Sequence, residues 1–201
     1  MYIPEHYREE DKSKLIGFIR ENSFALLVNS GDSGLRGTHL PFVTEERESG
    51  IVLVSHMAKA NPQWKEFGQG KEVLVVFTGP HGYVSPSNYE KQQNVPTWNY
   101  VAIHAYGVPE IVSDARAVVE VLEKMIVNYE AAFREQWDQL NEDYKAKMIK
   151  GIVAFEIPVK KLEGKYKLSQ NKTKNEQENV IHSFEKEKNP VAELMKQNLP
   201  K

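Results

Sequence analysis

The chain has 201 residues, of which 40% are hydrophobic and 27% charged, and its formal net charge is −2. These totals are typical of one globular domain with a sizeable core, and the small negative charge excludes a global attraction to nucleic acid or to a membrane. The absence of cysteine excludes a disulfide scaffold, a zinc–thiolate site and a cysteine nucleophile. No apolar run reaches the roughly 18 residues of a transmembrane helix, and the polar N-terminus has no signal-peptide core, so a cytoplasmic protein is expected.

The N-terminal third is predicted to be mainly β-structure. Residues 1–7 are expected to be extended, and Asp11 or Ser13 can cap a helix that runs to about Asn22. Apolar β-rich runs then predict strands at 24–29, 35–43, 51–56 and 71–78. Between the last two strands, Asn61 followed by Pro62 predicts the start of a short helix that ends near residue 68.

Residues 73–107 form the stretch around which the chain is predicted to be organised. The β-rich run ends at Gly79-Pro80, a second break follows at Ser85-Pro86, and a strand returns at 97–107. The connection carries the aromatic residues Tyr83, Tyr89 and Trp98 among small and polar residues. It is either a binding surface held by a rigid scaffold or a cover for one end of a barrel.

The C-terminal half is predicted to hold the longer helices. Asp114 caps a helix through about Phe133 with an apolar stripe at helical spacing, and a second helix covers 140–150. A strand at 151–157 is expected to end at Pro158, followed by a basic extended segment at 160–171. The polar residues 172–201 are interpreted as a helical appendage to a domain of residues 1–171. The order of elements predicts an α+β protein with an antiparallel barrel that is closed or nearly closed.

The junction at 55–64 is a candidate phosphate site. A strand ends in Ser55 and His56 and leads into a helix N-terminus that carries Lys59 and Asn61, so free N–H groups and positive charge would lie together. Such junctions are also common without a ligand. Four histidines lie near strand ends, but their spacing does not favour a metal site, and the glycines at 68 and 70 lack the third glycine of a dinucleotide loop.

Several long segments resemble one bacterial family. In order they are MYIPEHY, GTHLPF, SHMAKANPQW, VLVVFTGPHGYVSPSNY, VPTWNYVAIHAYG and GIVAFEIPVKKLEGKYKLSQN, which together cover nearly the whole chain. They resemble the PaiB family of negative transcriptional regulators of sporulation and degradative-enzyme genes. The resemblance implies an FMN-binding split barrel of the pyridoxamine-phosphate-oxidase type with peripheral helices, a homodimer, and FMN in a groove between the subunits.

The same resemblance implies which residues would contact the cofactor. Residues 36–41 are similar to the strand along the flavin ring, 55–63 to the element that holds the FMN phosphate, and 165–170 to a segment that reaches the flavin from the partner chain. The oxidases carry an Arg-Lys pair where Ala60-Asn61 stands here, with Lys59 just before it. The candidate cofactor-binding residues are Arg36, Thr38, His39, Leu40, Ser55, His56, Lys59, Asn61, Gln63, Trp98, Lys165 and Lys167. No catalytic residue and no metal ligand is assigned.

Three functions are consistent with these patterns. The first is a flavin-binding transcriptional repressor; the alternatives are an FMN-dependent oxidoreductase and a haem-handling split barrel. The net charge and the lack of a helix-turn-helix pattern argue against direct DNA binding. Besides the second subunit, the expected partner is either DNA or a regulatory protein that supplies the DNA contact. Residues 165–170 are expected to complete the ligand groove, and the residues after 172 are expected to be dispensable for it.

Overall fold

The computed structural model describes residues 1–31, 34–67 and 70–199. The chain divides into two compact units: unit 1 comprises Met1–Phe18, Thr78–Ile103 and Glu163–Lys201, and unit 2 comprises Ile19–Phe77 and His104–Leu162. The strands are β1 (Arg8–Glu9), β2 (Phe24–Gly31), β3 (Gly34–Pro41), β4 (Val43–Arg47), β5 (Gly50–Ala58), β6 (Val73–Val84), β7 (Thr97–Gly107), β8 (Glu110–Ile111) and β9 (Ile152–Lys167). The helices are α1 (Lys12–Glu21), α2 (Ala115–Glu130), α3 (Phe133–Gln139), α4 (Glu142–Lys150), α5 (Lys174–Lys186) and α6 (Val191–Gln197), with single-turn 3-10 helices at Glu5–Tyr7, Pro62–Glu66 and Pro86–Asn88.

The strands form an antiparallel sheet in the order β3-β2-β6-β7-β9-β5-β4, and β1 and β8 both pair with β9. In unit 2, β2 pairs with β3 over its whole length and with β6 at residues 26–28. On the other side of that unit, β5 pairs with both β4 and β9. The strands that carry the candidate residues 36–40 and 55–56 are therefore both held by ladders within unit 2.

The core of unit 2 lies on both faces of β5 and β9. Phe155 packs edge-on against Phe42 and Phe67, with ring centroids 6.4 and 5.0 Å apart. On the opposite face, Val118 and Val121 of α2 pack against Val52, Val54 and Ala154 of β5 and β9. Helix α2 begins as the sequence predicts, because the Asp114 carboxylate accepts the N–H of Ala117 at 2.9 Å. It ends at Glu130, three residues before the predicted boundary.

The core of unit 1 includes the C-terminal helices. Val180, Phe184 and Met195 of α5 and α6 are at most 1% exposed. A Cβ added at Gly82 of β6 would lie 2.4 Å from the Phe184 ring, so this glycine is needed for the helix to approach the strand. Asn189 also donates to the carbonyl of His81 at 3.2 Å. The segment predicted to be a helical appendage thus holds α5 and α6, and both helices contribute buried side chains to unit 1.

Two strands continue through prolines that were predicted to end them. β6 runs through Gly79-Pro80 to Val84, and β9 runs through Pro158 to Lys167. The β2–β6 ladder ends at Val76, so the missing N–H of Pro80 breaks no bond of that ladder. Pro158 lies in the last pair of the β5–β9 ladder, opposite Val52. Pro158 therefore lies where a pairing with one neighbour ends, Pro80 lies beyond the end of such a pairing, and neither proline ends its strand.

Helix starts were predicted correctly because their signals are local. Asp11 accepts the N–H groups of Ser13 and Lys14 at the start of α1. Asn61 caps the turn at Pro62–Glu66, whose predicted end near residue 68 lies outside the described residues. In the described part of the chain no helix is long and apolar enough to cross a membrane.

Candidate flavin site

Three of the candidate residues, Arg36 and Thr38 of β3 and Asn61, meet around Gln63, whose side chain is 1% exposed. Its amide nitrogen donates to Asn29 Oδ1 at 2.8 Å, to the Leu27 carbonyl at 3.2 Å and to the Arg36 carbonyl at 3.4 Å. Its amide oxygen accepts the hydroxyl of Thr38. We call Asn29, Arg36, Thr38, Asn61 and Gln63 the Gln63 cluster. It fixes the 3-10 turn to β2 and β3 without a solvent-exposed contact.

Asn61 connects the same turn to β3 by two hydrogen bonds. Its side-chain oxygen accepts the N–H of Gln63 at 3.0 Å, which is the predicted cap, and its nitrogen donates to Thr38 Oγ1 at 2.9 Å. Both polar atoms of the Asn61 amide are therefore used inside the cluster. The helix that follows is one 3-10 turn of five residues, so it offers a phosphate far less aligned dipole than a regular helix would.

Lys59 is an exposed cation just before the 3-10 turn. Its backbone N–H donates to the Gly151 carbonyl at 2.8 Å, and its backbone carbonyl accepts the indole N–H of Trp64 at 3.0 Å. The backbone on both sides of the residue is thereby fixed. Within residues 1–31, 34–67 and 70–199 its ammonium has no ion-pair partner. Lys59 is therefore an exposed cation two residues before Asn61 of the Gln63 cluster.

The candidates on β3 do not share one face. Register places Arg36 opposite the buried Asn29, and Thr38 opposite Leu27, on the face that holds Gln63. His39 lies on the other face, where its ring stacks on Phe24 with centroids 6.0 Å apart. The Nε of Arg36 is buried and has no hydrogen-bond partner in the described part of the chain. A ligand on one face of β3 can contact the side chain of Thr38 or of His39, but not of both.

Ser55 and His56 also point to opposite faces of β5. The Ser55 side chain is fully buried and its hydroxyl donates to the Pro41 carbonyl at 2.7 Å, so this hydroxyl holds β5 to the end of β3 and does not face a ligand. His56 lies opposite Ala154, on the face that α2 covers. Burial lowers the pKa of the His56 imidazole, and its Nδ1 has no partner among the described residues. The predicted pair of phosphate donors is therefore not formed.

The remaining candidates, Trp98, Lys165 and Lys167, belong to unit 1. Trp98 is 50% exposed, with the rings of His81 and Tyr83 5.4 and 6.0 Å from it, and it lines an apolar pocket of about 500 Å³. Lys165 donates to the Tyr2 carbonyl at 3.2 Å. The prediction that both lysines lie on one face is confirmed, because the alternating Tyr166 and Leu168 are buried.

The ammonium group of Lys167 is fixed by partners within unit 1. Its ammonium donates to Thr97 Oγ1 and to the Trp98 carbonyl, and lies 5.7 Å from the Tyr7 ring centroid. Burial and then the charge of Lys165 lower its pKa.

Asn29 was missed among the candidates. The sequence does contain a signal for this residue. Asn29 is an amide at an inward-facing position of β2, in line with the buried side chains of Ala25 and Leu27.

The chain matches a known family over most of its length. The model of the family described as "Putative FMN-binding domain" matches residues 1–161. The chain belongs to this FMN-binding domain family. The Bacillus subtilis relative "Protease synthase and sporulation protein PAI 2" is 37% identical over 100% of this chain and 99% of its own length. An uncharacterized protein of Emericella nidulans is 32% identical over 92% of this chain and 90% of its own length.

Solved structures of the same fold are more distant in sequence. The flavocytochrome Anf3 from Azotobacter vinelandii has a TM-score of 0.65 at 15% identity, covering 82% of this chain and 72% of its own. The FAD and heme binding protein from Mycobacterium smegmatis has a TM-score of 0.64 at 13% identity, covering 80% and 73%. They confirm the predicted α+β class with an antiparallel split barrel and peripheral helices. The predicted family is confirmed as well, and with it FMN as the cofactor of the FMN-binding domain family.

Proposed function

We propose that the chain binds FMN next to the Gln63 cluster, with the phosphate on Lys59. One observation carries the proposal: segments 36–41 and 55–63, both assigned to the flavin by the family resemblance, are hydrogen-bonded to each other through Asn61, Thr38 and Gln63. Residues in such a cluster are pre-organised, so little conformational entropy is lost when a ligand binds. When bound, FMN would supply one- and two-electron redox chemistry.

The residues present fit the anionic end of FMN. Lys59 is exposed, and the buried Nε of Arg36 has no hydrogen-bond partner in the described residues. A buried guanidinium N–H without an acceptor destabilises the folded state, and a phosphate oxygen would provide that acceptor. In this proposal Arg36 and Lys59 donate to the phosphate, Thr38 and Asn61 hold the backbone around it, and Ser55 and His56 have structural roles.

The regulatory part of the proposal concerns gene control. We infer a negative regulator of sporulation and degradative-enzyme genes, supported by the relative named for protease synthesis and sporulation, which aligns over the full length of both chains. With a net charge of −2, the output would pass through a partner protein and not through direct contact with DNA. Deletion of the gene in its host should raise extracellular protease activity, and reintroduction should lower it. Unchanged activity in both strains would remove this part of the proposal.

We also propose a homodimer. In unit 2, Phe24 and Leu35 are 65% and 79% exposed, and Phe24 shares its face of β2 and β6 with Leu26 and Val76. In unit 1, Trp98 is exposed as well. A contiguous apolar sheet face can be buried against a second copy of the chain, and a two-fold contact is the commonest kind.

A matched pair of lysines tests the FMN site. Lys59→Ala removes the proposed phosphate contact, whereas Lys65→Ala removes an exposed lysine from the 3-10 turn itself. A charge-assisted hydrogen bond contributes about 1.5–3 kcal/mol, so Lys59→Ala should weaken FMN roughly tenfold to a hundredfold in a fluorescence titration, with Lys65→Ala near wild type. Riboflavin, which lacks the phosphate, should be indifferent to both changes. Equal losses for FMN and riboflavin would place the phosphate elsewhere.

The same preparations separate the alternative functions. Turnover of a reduced nicotinamide by the FMN-loaded protein would favour an oxidoreductase, and a Soret band after haem addition would favour a haem-handling protein. Among the described residues no three histidine or acidic side chains are arranged to hold a metal ion. The flavin proposal expects a flavin spectrum.

A further inference from the structure

Unit 1 contains a small polar pocket that the flavin proposal does not use. Its volume is about 170 Å³, and its lining comprises Tyr7, Tyr89, Asn94, Val95, Thr97, Asn99, Lys167, Ser169, Asn171 and Lys172. Pockets for drug-sized ligands usually have about 300–1,000 Å³, so this one is too small for a flavin. At about 30 Å³ per water molecule it has room for a small molecule.

The pocket carries positive charge without a carboxylate in its lining. The two lysines meet only neutral acceptors: Lys167 donates to Thr97 Oγ1 and the Trp98 carbonyl, and Lys172 donates to Asn94 Oδ1 at 2.7 Å. Two partly buried ammonium groups next to a polar cavity favour an anion there, because neither forms an ion pair with a residue of the lining. The desolvation that lowers the pKa of Lys167 is consistent with this.

The carboxylate of Glu176 acts on this region from outside the lining, since its charge interacts with Lys172 and with Tyr89. The Glu176 carboxylate accepts the N–H of Thr173 as part of a capping box, and the N–H of Glu90 at 3.3 Å. It does not line the pocket. The charge of the lining itself is therefore that of its two lysines.

Tyr89 gives the second, independent indication of a ligand. Its side chain is 8% exposed, and its hydroxyl is buried without a hydrogen-bond partner in the described residues. The neighbouring Ser169 hydroxyl accepts from Asn99 Nδ2 at 2.9 Å and donates to Asn99 Oδ1 at 3.2 Å, so its oxygen keeps one acceptor position beside Tyr89. Lys172 lies over the Tyr89 ring, 3.8 Å from its centroid. A buried hydroxyl without a partner loses hydrogen-bond energy, which an acceptor inside the pocket would restore.

We propose that this pocket binds a small oxyanion of the size of inorganic phosphate, independently of the flavin. Lys167 and Lys172 supply its charge, and the hydroxyl of Tyr89 donates to it. The Tyr7 hydroxyl donates to Asn171 Oδ1 at 3.1 Å and so orients the Asn171 amide at the same wall. Because α5 begins two residues after Lys172, an occupied pocket would also hold the C-terminal helices to the rest of unit 1.

Inorganic phosphate is the probe, and isothermal titration calorimetry of the full chain in a phosphate-free buffer is the measurement. Lys172→Gln and Tyr89→Phe should weaken phosphate about tenfold to a hundredfold, as expected for a lost charge-assisted hydrogen bond. Their controls are Lys174→Gln, which removes an exposed lysine two residues away, and Tyr83→Phe, which removes an exposed phenol. Both controls should bind as wild type does.

Three results would overturn the proposal. The first is a lack of saturable phosphate binding by the wild type, and the second is equal affinity in the Lys172 and Lys174 variants. The third is displacement of phosphate from the Lys59→Ala protein by FMN but not by riboflavin, which would assign the pocket to the phosphate of a larger ligand. If Lys172→Gln does not fold, Tyr89→Phe decides, because it removes only one oxygen atom. Lys59→Ala removes the contact that the flavin proposal assigns to phosphate, so the titrations are run in this background, and failure of this proposal and failure of the flavin proposal are distinguishable.

Discussion

Gln63→Glu tests how much the Gln63 cluster contributes, because it changes one buried NH₂ group into an oxygen at nearly constant volume. The Gln63 amide nitrogen donates to Asn29 Oδ1, to the Leu27 carbonyl and to the Arg36 carbonyl. A carboxylate at the same place would face three acceptors. Asn29 can rotate its amide and donate instead, but the two backbone carbonyls cannot.

The expected loss of stability follows from those two carbonyls. A buried group left without its partner costs about 1–3 kcal/mol, and the Arg36 contact at 3.4 Å is the weaker of the two. We therefore expect Gln63→Glu to lower the free energy of unfolding by about 2–4 kcal/mol at pH 7.5. Burial raises the pKa of the new carboxyl above its unfolded value, so any stability that the protonated form provides is present at low pH and lost as pH rises through the folded pKa.

The assay is urea unfolding at pH 7.5 and at pH 5, with FMN affinity measured on the same samples. Gln136→Glu introduces the same charge on exposed helix α3 and is the matched control. The deficit of Gln63→Glu should be smaller at pH 5 than at pH 7.5, and FMN affinity should fall as the turn loses its anchor to β3. A deficit equal to that of Gln136→Glu at both pH values would refute the structural role of the cluster.

Three further changes test separate parts of the structure. Phe184→Ala should lower the free energy of unfolding by about 3–5 kcal/mol in urea, because the ring is fully buried against Gly82; a loss below about 1 kcal/mol would mean that the C-terminal helices are not core. Light scattering should give a dimer for the wild type and a monomer for Phe24→Asp, and a monomeric wild type would contradict the interface. Burial lowers the folded pKa of His56 below 6.5, so its contribution to stability is present above pH 6.5 and lost as pH falls towards that lower pKa. The wild type should therefore lose stability relative to His56→Gln between pH 7.5 and 5.5, whereas a constant difference would show that His56 does not titrate there.

Features set by local chemistry could be predicted from the sequence. Asp11, Asn61 and Asp114 cap their helices because a short polar side chain followed by a helical pattern satisfies free N–H groups without distant partners. The effects of Pro80 and Pro158 could not be predicted in the same way. Whether a proline ends a strand depends on which neighbour needs its N–H, and that is a property of the ladder.

The candidate site was predicted as a region more accurately than as a set of side chains. Alternation along β3 and β5 already implies that Thr38 and His39, or Ser55 and His56, cannot face one ligand together. The buried amide of Asn29 had a signal in its apolar strand. The pairing of Gln63 with two strands had no such signal, since only the fold brings positions 29, 36 and 63 together.

The central claim is that this chain binds FMN, and reconstitution measures it most directly. Purified protein is mixed with FMN, passed through a desalting column and examined by visible absorption and by flavin fluorescence. We predict a retained flavin spectrum at about one FMN per chain, saturable in titration and weaker for riboflavin, as the phosphate contact of Lys59 requires. Flavin that elutes entirely in the small-molecule fractions, from protein shown to be folded, would contradict the account.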